Sequence, residues 1–104
     1  MAVKSWSVLS SAVDTDTTLF QVPIEMRTVL IAISIANYGS STATASLRIT
    51  DSSDVTLSYI LSSVELISGD TIHVDTKIAL NAEEKLVFLS DNTEVSVLVT
   101  GDES

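Results

Sequence analysis

The chain has 104 residues, 45% of them hydrophobic, no cysteine, and five Lys and Arg against fourteen Asp and Glu, a formal charge of −9. That length suits one domain, residues 1–104, able to bury roughly 60–70% of its unfolded surface without metals or staples. The missing thiols exclude disulfides and cysteine-based metal or nucleophile chemistry, and the acidic balance repels both phosphate backbones and anionic membrane surfaces.

In chain order, Trp6 and Val8, with Lys4, share one face of a first strand that reads as an edge strand or an N-terminal arm over residues 1–17. No run reaches the roughly 18 apolar residues of a membrane helix, and MAVKSWSVLSSAV lacks the apolar region of a signal peptide. Synthesis and first use in a cytoplasm are expected. Asp14 to Thr17 is a turn by composition. Thr18 to Val22 alternates, and Pro23 stops it because proline cannot donate to a ladder.

Arg27 to Asn37, RTVLIAISIAN, is the apolar spine. Val29, Ile31, Ile33 and Ile35 fall at every second position and are expected to face the core. Leu30, Ala32 and Ala36 then face away. Tyr38-Gly39-Ser40-Ser41 is the clearest turn, and the spine is predicted to form a hairpin across it with Thr42 to Thr50. In that second strand Ala43, Ala45, Leu47 and Ile49 point in, while Thr44, Ser46 and Arg48 sit on a wet face.

After the turn Asp51 to Asp54, Val55, Leu57, Tyr59 and Leu61 read as an inward set, with Ile60 turned outward. Val64 to Ile67 stays extended up to Ser68-Gly69-Asp70. Ile72, Val74, Thr76, Ile78 and Leu80 then alternate with polar residues. Asn81 to Glu84 is worth one helical turn at most. Residues 85–90 and 94–100 are predicted to close the domain as a hairpin around Asp91-Asn92-Thr93. About eight short strands with polar turns and no convincing helix make an all-β fold, an antiparallel β-sandwich. Periodicity leaves immunoglobulin-like and jelly-roll topologies both open.

Chemistry is sparse. His73, the single histidine, shares a strand face with Asp75 and Lys77, but no serine stands in a G-x-S-x-G context, so no catalytic residue is assigned. Asp14 with Asp16, and Asp51 with Asp54, have spacings that calcium loops use. Calcium needs six to eight oxygens, and Asp is a favoured turn residue anyway, so no metal is expected. Trp6 and Tyr38 could be exposed as sugar platforms, whereas Phe88 and Tyr59 fall on inward stripes. No glycine-rich phosphate loop occurs, and no cofactor is expected.

One pattern exceeds what a monomer needs. With the facing above, Leu30, Ala32, Ile60, Val87, Leu89 and Leu98 all turn outward. Soluble monomers seldom expose large contiguous apolar patches, so these six residues are the expected protein interface. A homo-oligomer, dimer or trimer, is the economical outcome.

The runs IANYGSSTATASLRITD and IHVDTKIALNAEEKLVFLSDNTEVSVLVTGDES resemble small virion proteins of tailed bacteriophages. In those an apolar strand ending in Asn leads to a Ser/Thr turn and a polar-alternating strand. An I-x-L…E-K-L stretch, here Ile78 to Leu80 and Glu84 to Leu86, precedes a terminal V-x-V-x-V strand, here Val95 to Val99, and an acidic ending. The resemblance covers roughly residues 27–103. It implies a non-enzymatic β-sandwich, made in a host cytoplasm and carried on the capsid surface of the virion. There it would serve as a decoration (cement) protein bound to the major capsid protein or another virion protein. It equally admits a tail, neck or fibre part, or a carbohydrate- or receptor-binding module, and it supplies no catalytic residues.

Overall fold

A computed structural model describes residues 2–8, 16–75 and 77–104. Among these residues there are nine strands: β1 (Ala2–Val8), β2 (Thr17–Gln21), β3 (Thr28–Asn37), β4 (Ala43–Thr50), β5 (Thr56–Leu66), β6 (Thr71–Val74), β7 (Ile78–Leu80), β8 (Lys85–Ser90) and β9 (Val95–Glu103). One sheet has the order β1-β9-β3-β6, with β7 also paired to β3, and the other has the order β2-β8-β4-β5. All pairings are antiparallel. The all-β sandwich expected from the sequence is therefore present. Its interleaved strand order, with first and last strands side by side, is that of a jelly roll.

Two predicted hairpins are absent. β3 and β4 lie in different sheets, as do β8 and β9, so residues 38–42 and 91–94 are arches that carry the chain across the sandwich. Of the strands joined through described residues, β4 and β5 form a hairpin within one sheet. The expected long strand over 72–80 is split into β6 and β7 along the same edge of β3, and Thr76 lies outside the described residues.

Asn37 shows why the arch forms. It is 1% exposed, and its Nδ2 donates to the carbonyls of Ser41 (2.8 Å) and Leu66 (3.0 Å) while its Oδ1 accepts from the Gly39 N–H (3.0 Å). Its backbone N–H donates to the Asp70 carbonyl, its own carbonyl accepts from Gly69, and Tyr38 N–H reaches the Glu94 carbonyl. One buried side chain thus satisfies the β3–β4 crossing and ties it to the β5–β6 crossing, as a buried amide must to avoid a desolvation loss. Gly69 supplies the left-handed backbone there, with φ +83.

The core lies between the sheets: Leu30, Ile33, Ile35, Val95, Val97 and Val99 from the larger sheet pack against Ala43, Ala45, Leu47, Ile49, Leu86 and Phe88 from the smaller. The inward set of β4 matches its alternation. β3 does not match. Its register with β9 shifts between Leu30, opposite Gly101, and Ala32, opposite Thr100. This one-residue bulge reverses the facing, because side chains alternate strictly along a strand. Thr28 and Leu30 point inward before it and Ile33 and Ile35 after it, while Val29 is half-buried and Ile31 exposed. Gly101 permits the approach, since a Cβ there would sit 2.8 Å from the Val29 carbonyl oxygen.

The sandwich side between β1 and β2 is closed by Trp6 stacked on Phe20, with ring centroids 4.1 Å apart and an interplanar angle of 17°. Trp6 is therefore packing rather than a sugar platform. At the end of the sandwich Lys4, on the same inward face of β1, donates to the buried carboxylate of Glu103. Ala2–Val8 thus form an edge strand, and residues 9–15 of the expected arm or edge strand lie outside the described residues.

The bulge generates a paired test. Ile33→Asp should unfold the protein, because a buried unpaired carboxylate costs several kcal/mol against a total of roughly 5–15. Ile31→Asp, two positions away, should shift stability by no more than about 1 kcal/mol. Urea denaturation of both variants checks this; similar losses would place the bulge elsewhere.

Candidate docking surfaces

The interior is filled with aliphatic and aromatic side chains, so binding chemistry is confined to surfaces. Two shallow depressions stand out among the described residues. One of about 420 Å³ is lined by Glu25, Met26, Arg27, Asn81, Ala82 and Ser104. The other, of about 280 Å³, is lined by Thr44, Ser46, Ser63, Leu89 and Asp91.

The polar candidates are dispersed and engaged. His73 is exposed on the outer face of the larger sheet, opposite Ser34. Asp51 Oδ1 accepts from the N–H groups of Ser53 and Val55, closing its turn, and Asp54 Oδ1 accepts from Lys85 at 2.9 Å. Asp14 lies outside the described residues. Asp16 receives both guanidinium arms of Arg48, at 3.0 and 2.8 Å. Among the described residues no group of three or more acidic or histidine side chains could hold a metal ion. Thermal melts with EDTA and with calcium should coincide; a large calcium-dependent rise would make one of these turns a ligand set.

The Arg48–Asp16 pair explains an unexpected burial. Arg48 lies across the ladder from Val87, which in turn lies across from Thr18. To reach Asp16 beside β2, the Arg48 side chain passes over β8, and Val87 beneath it is only 2% exposed. Arg48 was expected on a wet face, yet its side chain is 13% exposed. Long basic side chains cover apolar surface in this way.

Among the described residues, exposed Ile24, Tyr38 and Ile67 stand in the connections between strands, and the other large apolar residues that reach solvent form two groups. The first is the outer face of the β1-β9-β3-β6 sheet. Val3, Ile31 and Leu98 are exposed there, 74%, 38% and 48% respectively. Across its centre, Ser7, Leu98, Ser34 and His73 form one cross-strand row. Among the described outward positions of its strands, Asp102 is the one carboxylate, and one of its oxygens is buried without a partner.

The second group lies along the edge formed by β5. β5 has 11 residues against 8 in β4, and three register shifts absorb the difference. Period-two alternation is lost, and Val55, Leu57 and Tyr59 are all more than half exposed. The sequence had placed all three in the core. Bulges also blunt the edge, because unevenly spaced N–H and C=O groups make a poor template for another strand.

The six residues expected at an interface separate accordingly. Leu30 is fully buried by the β3 bulge, and Val87 is covered by Arg48, so neither reaches a partner. Ile60, unmatched at a β5 bulge, is partly buried against the core. Leu89 is half-buried in the smaller depression. Ala32 and Leu98 remain on the outer face of the larger sheet, half-buried and exposed. Exposed Val3 and Ile31 were missed; the bulge that turns Ile31 outward leaves no mark in the alternation.

Comparisons with known proteins add little to this. No family model matches the chain, and no curated protein matches it. One solved structure that does match, of infectious bursal disease virus Gt strain, superposes on 99% of this chain with 10% identity and a TM-score of 0.46. This chain spans 30% of the length of that one. Among the described residues no helix is long and apolar enough to cross a membrane.

Hydrogen bonding from Arg48 holds the Asp16 carboxyl below its ordinary range, against a smaller opposing desolvation, and raises Arg48. A carboxyl depressed in the folded state contributes stability above its unfolded value, which is lost as pH falls through the folded value. Asp16 is 54% exposed, so solvent screens the pair. Asp16→Asn should cost about 0.5–1 kcal/mol at neutral pH and low salt. Urea titrations should show that difference vanish in acid and shrink in high salt; a pH-independent difference would mean that the charge is not its source.

Proposed function

We propose that this chain is a non-enzymatic structural protein of a virion, a decoration (cement) protein that binds and stabilises the shell of a major capsid protein. Val55, Leu57 and Tyr59 carry this reading. They offer three apolar side chains within five residues, each more than half exposed, on an edge too irregular to add a strand, which suits docking of side chains into a partner's pocket. The core between the sheets is filled by aliphatic and aromatic side chains among the described residues, which suits a binding role carried at the surface. The phage-like runs over residues 27–103 point the same way. Jelly rolls also serve as lectins, and exposed Tyr59, across the ladder from Arg48, favours a second reading as a glycan- or receptor-binding part of a tail, neck or fibre.

Copy number separates the two. Densitometry of purified virions should show this chain at an abundance comparable with the shell subunit, whereas a scarce band would favour the tail or fibre. For isolated shells, Leu57→Ser and Tyr59→Ser should each weaken binding about tenfold, as expected when a largely buried apolar side chain is truncated. Unchanged affinity in both would remove the β5 edge from the docking surface.

A further inference from the structure

We propose that the outer face of the β1-β9-β3-β6 sheet is the seat of a second copy of this chain, the two sheets packing face to face. This rests on the reading of the chain as an assembly component and names the partner of a surface distinct from the β5 edge.

Charge selects the occupant. Each copy carries a formal −9, so two copies repel wherever their carboxylates meet. Most described acidic residues sit in the turns or at strand ends, as do Glu25, Asp51, Asp70, Glu83, Asp91 and Glu94. The outward strand positions of the larger sheet carry Asp102 alone among the described ones, toward one end of the strands, and exposed Asp75 is matched by the opposite charge of exposed Lys77 at the edge between β6 and β7. This face therefore lets like-charged copies approach without stacking charge on charge. A basic partner would instead be drawn to the acidic turns.

Area and relief agree. β3 has 10 residues, about 33 Å at a strand's rise, and four ladder positions at roughly 4.8 Å span about 19 Å. The neighbouring strands are shorter, β1 with 7 residues and β6 with 4, so the face offers on the order of 500 Å² per copy and the pair reaches the roughly 1,000 Å² that a specific interface needs. Ser7 and Ser34 flank Leu98 on the central row. Small neighbours leave room for each copy's Leu98 to enter the other's surface at the usual spacing of about 10 Å between sheets. A two-fold axis uses one patch twice, so a single substitution acts at two places.

Sedimentation of the full chain over a concentration series tests this directly. The wild type should form dimers that tighten as salt rises, because screening removes repulsion while the apolar contact stays. Leu98→Glu and Ile31→Glu should each weaken the dimer by roughly a hundredfold while keeping the wild-type strand content by circular dichroism. Leu57→Glu, on the other sheet, should leave the dimer intact. A wild type that stays monomeric at high concentration, or a dimer unaffected by both outer-face variants, overturns the proposal, as does a dimer that dissociates with added salt. The function reading fails separately. Dimers that do not bind shells would leave this inference standing and remove the capsid role. A monomer whose shell binding is lost in Leu98→Glu would make the capsid protein the occupant.

Discussion

The one-residue bulge in β3 opposite Gly101 decides what the rest of the molecule looks like. An uninterrupted strand would send Val29, Ile31, Ile33 and Ile35 inward together. The core would then gain two β-branched residues and lose Leu30. Instead the spine contributes Leu30 below the bulge and Ile33 and Ile35 above it, and Ile31 is turned out. The outer face of the larger sheet takes its apolar character from that reversal and from Leu98 on the neighbouring strand. Gly101 is the residue that makes it sterically possible, because any side chain there would meet the Val29 carbonyl. The facing of β3 thus depends on a position in β9 with no side chain.

What the sequence made legible follows from which signals are local. β4 reads correctly because Ala43, Ala45, Leu47 and Ile49 alternate without a bulge against β8. The strand content and the sandwich class follow from composition and turn spacing alone. The arches were invisible for a different reason. A Tyr-Gly-Ser-Ser turn satisfies its own backbone equally well in a hairpin or across two sheets, and it is Asn37, reaching Leu66 29 residues on, that settles the matter. β5 misled in the opposite direction. Val55, Leu57 and Tyr59 alternate as a core strand should, yet three extra residues on an edge strand dissociate period from facing. Of the expected interface residues, Leu30 and Val87 failed because their burial depends on partners distant in the chain, Gly101 in one case and the Arg48–Asp16 pair in the other.

Most described acidic residues sit at the rims where strands turn, whereas two groups of exposed apolar residues lie on a sheet face and along one edge. The separation is partial, because exposed Ile24, Tyr38 and Ile67 share the turns with acidic neighbours. Such a partition keeps isolated copies apart in every orientation except those that bring uncharged surface together. The orientation of approach between like-charged molecules is fixed by where the repulsion is weakest.

The pairing of β9 with both β1 and β3 has a consequence for how the chain is made. On a ribosome, β1 and β3 emerge early and have no ladder between them until the strand that lies between them is synthesised. Lys4 must wait for Glu103, 99 residues later. The smaller sheet, built from β2, β8, β4 and β5, can be completed one strand sooner. Nascent chains therefore hold a nearly finished smaller sheet facing an apolar spine that lacks its central neighbour, a state with open strand edges. Closure depends on contacts of the longest sequence separation in the protein, which places its folding among the slow, millisecond-to-second β-topologies. The last strand to appear is thus the one that withdraws β1 and β3 from competing partners in the cell.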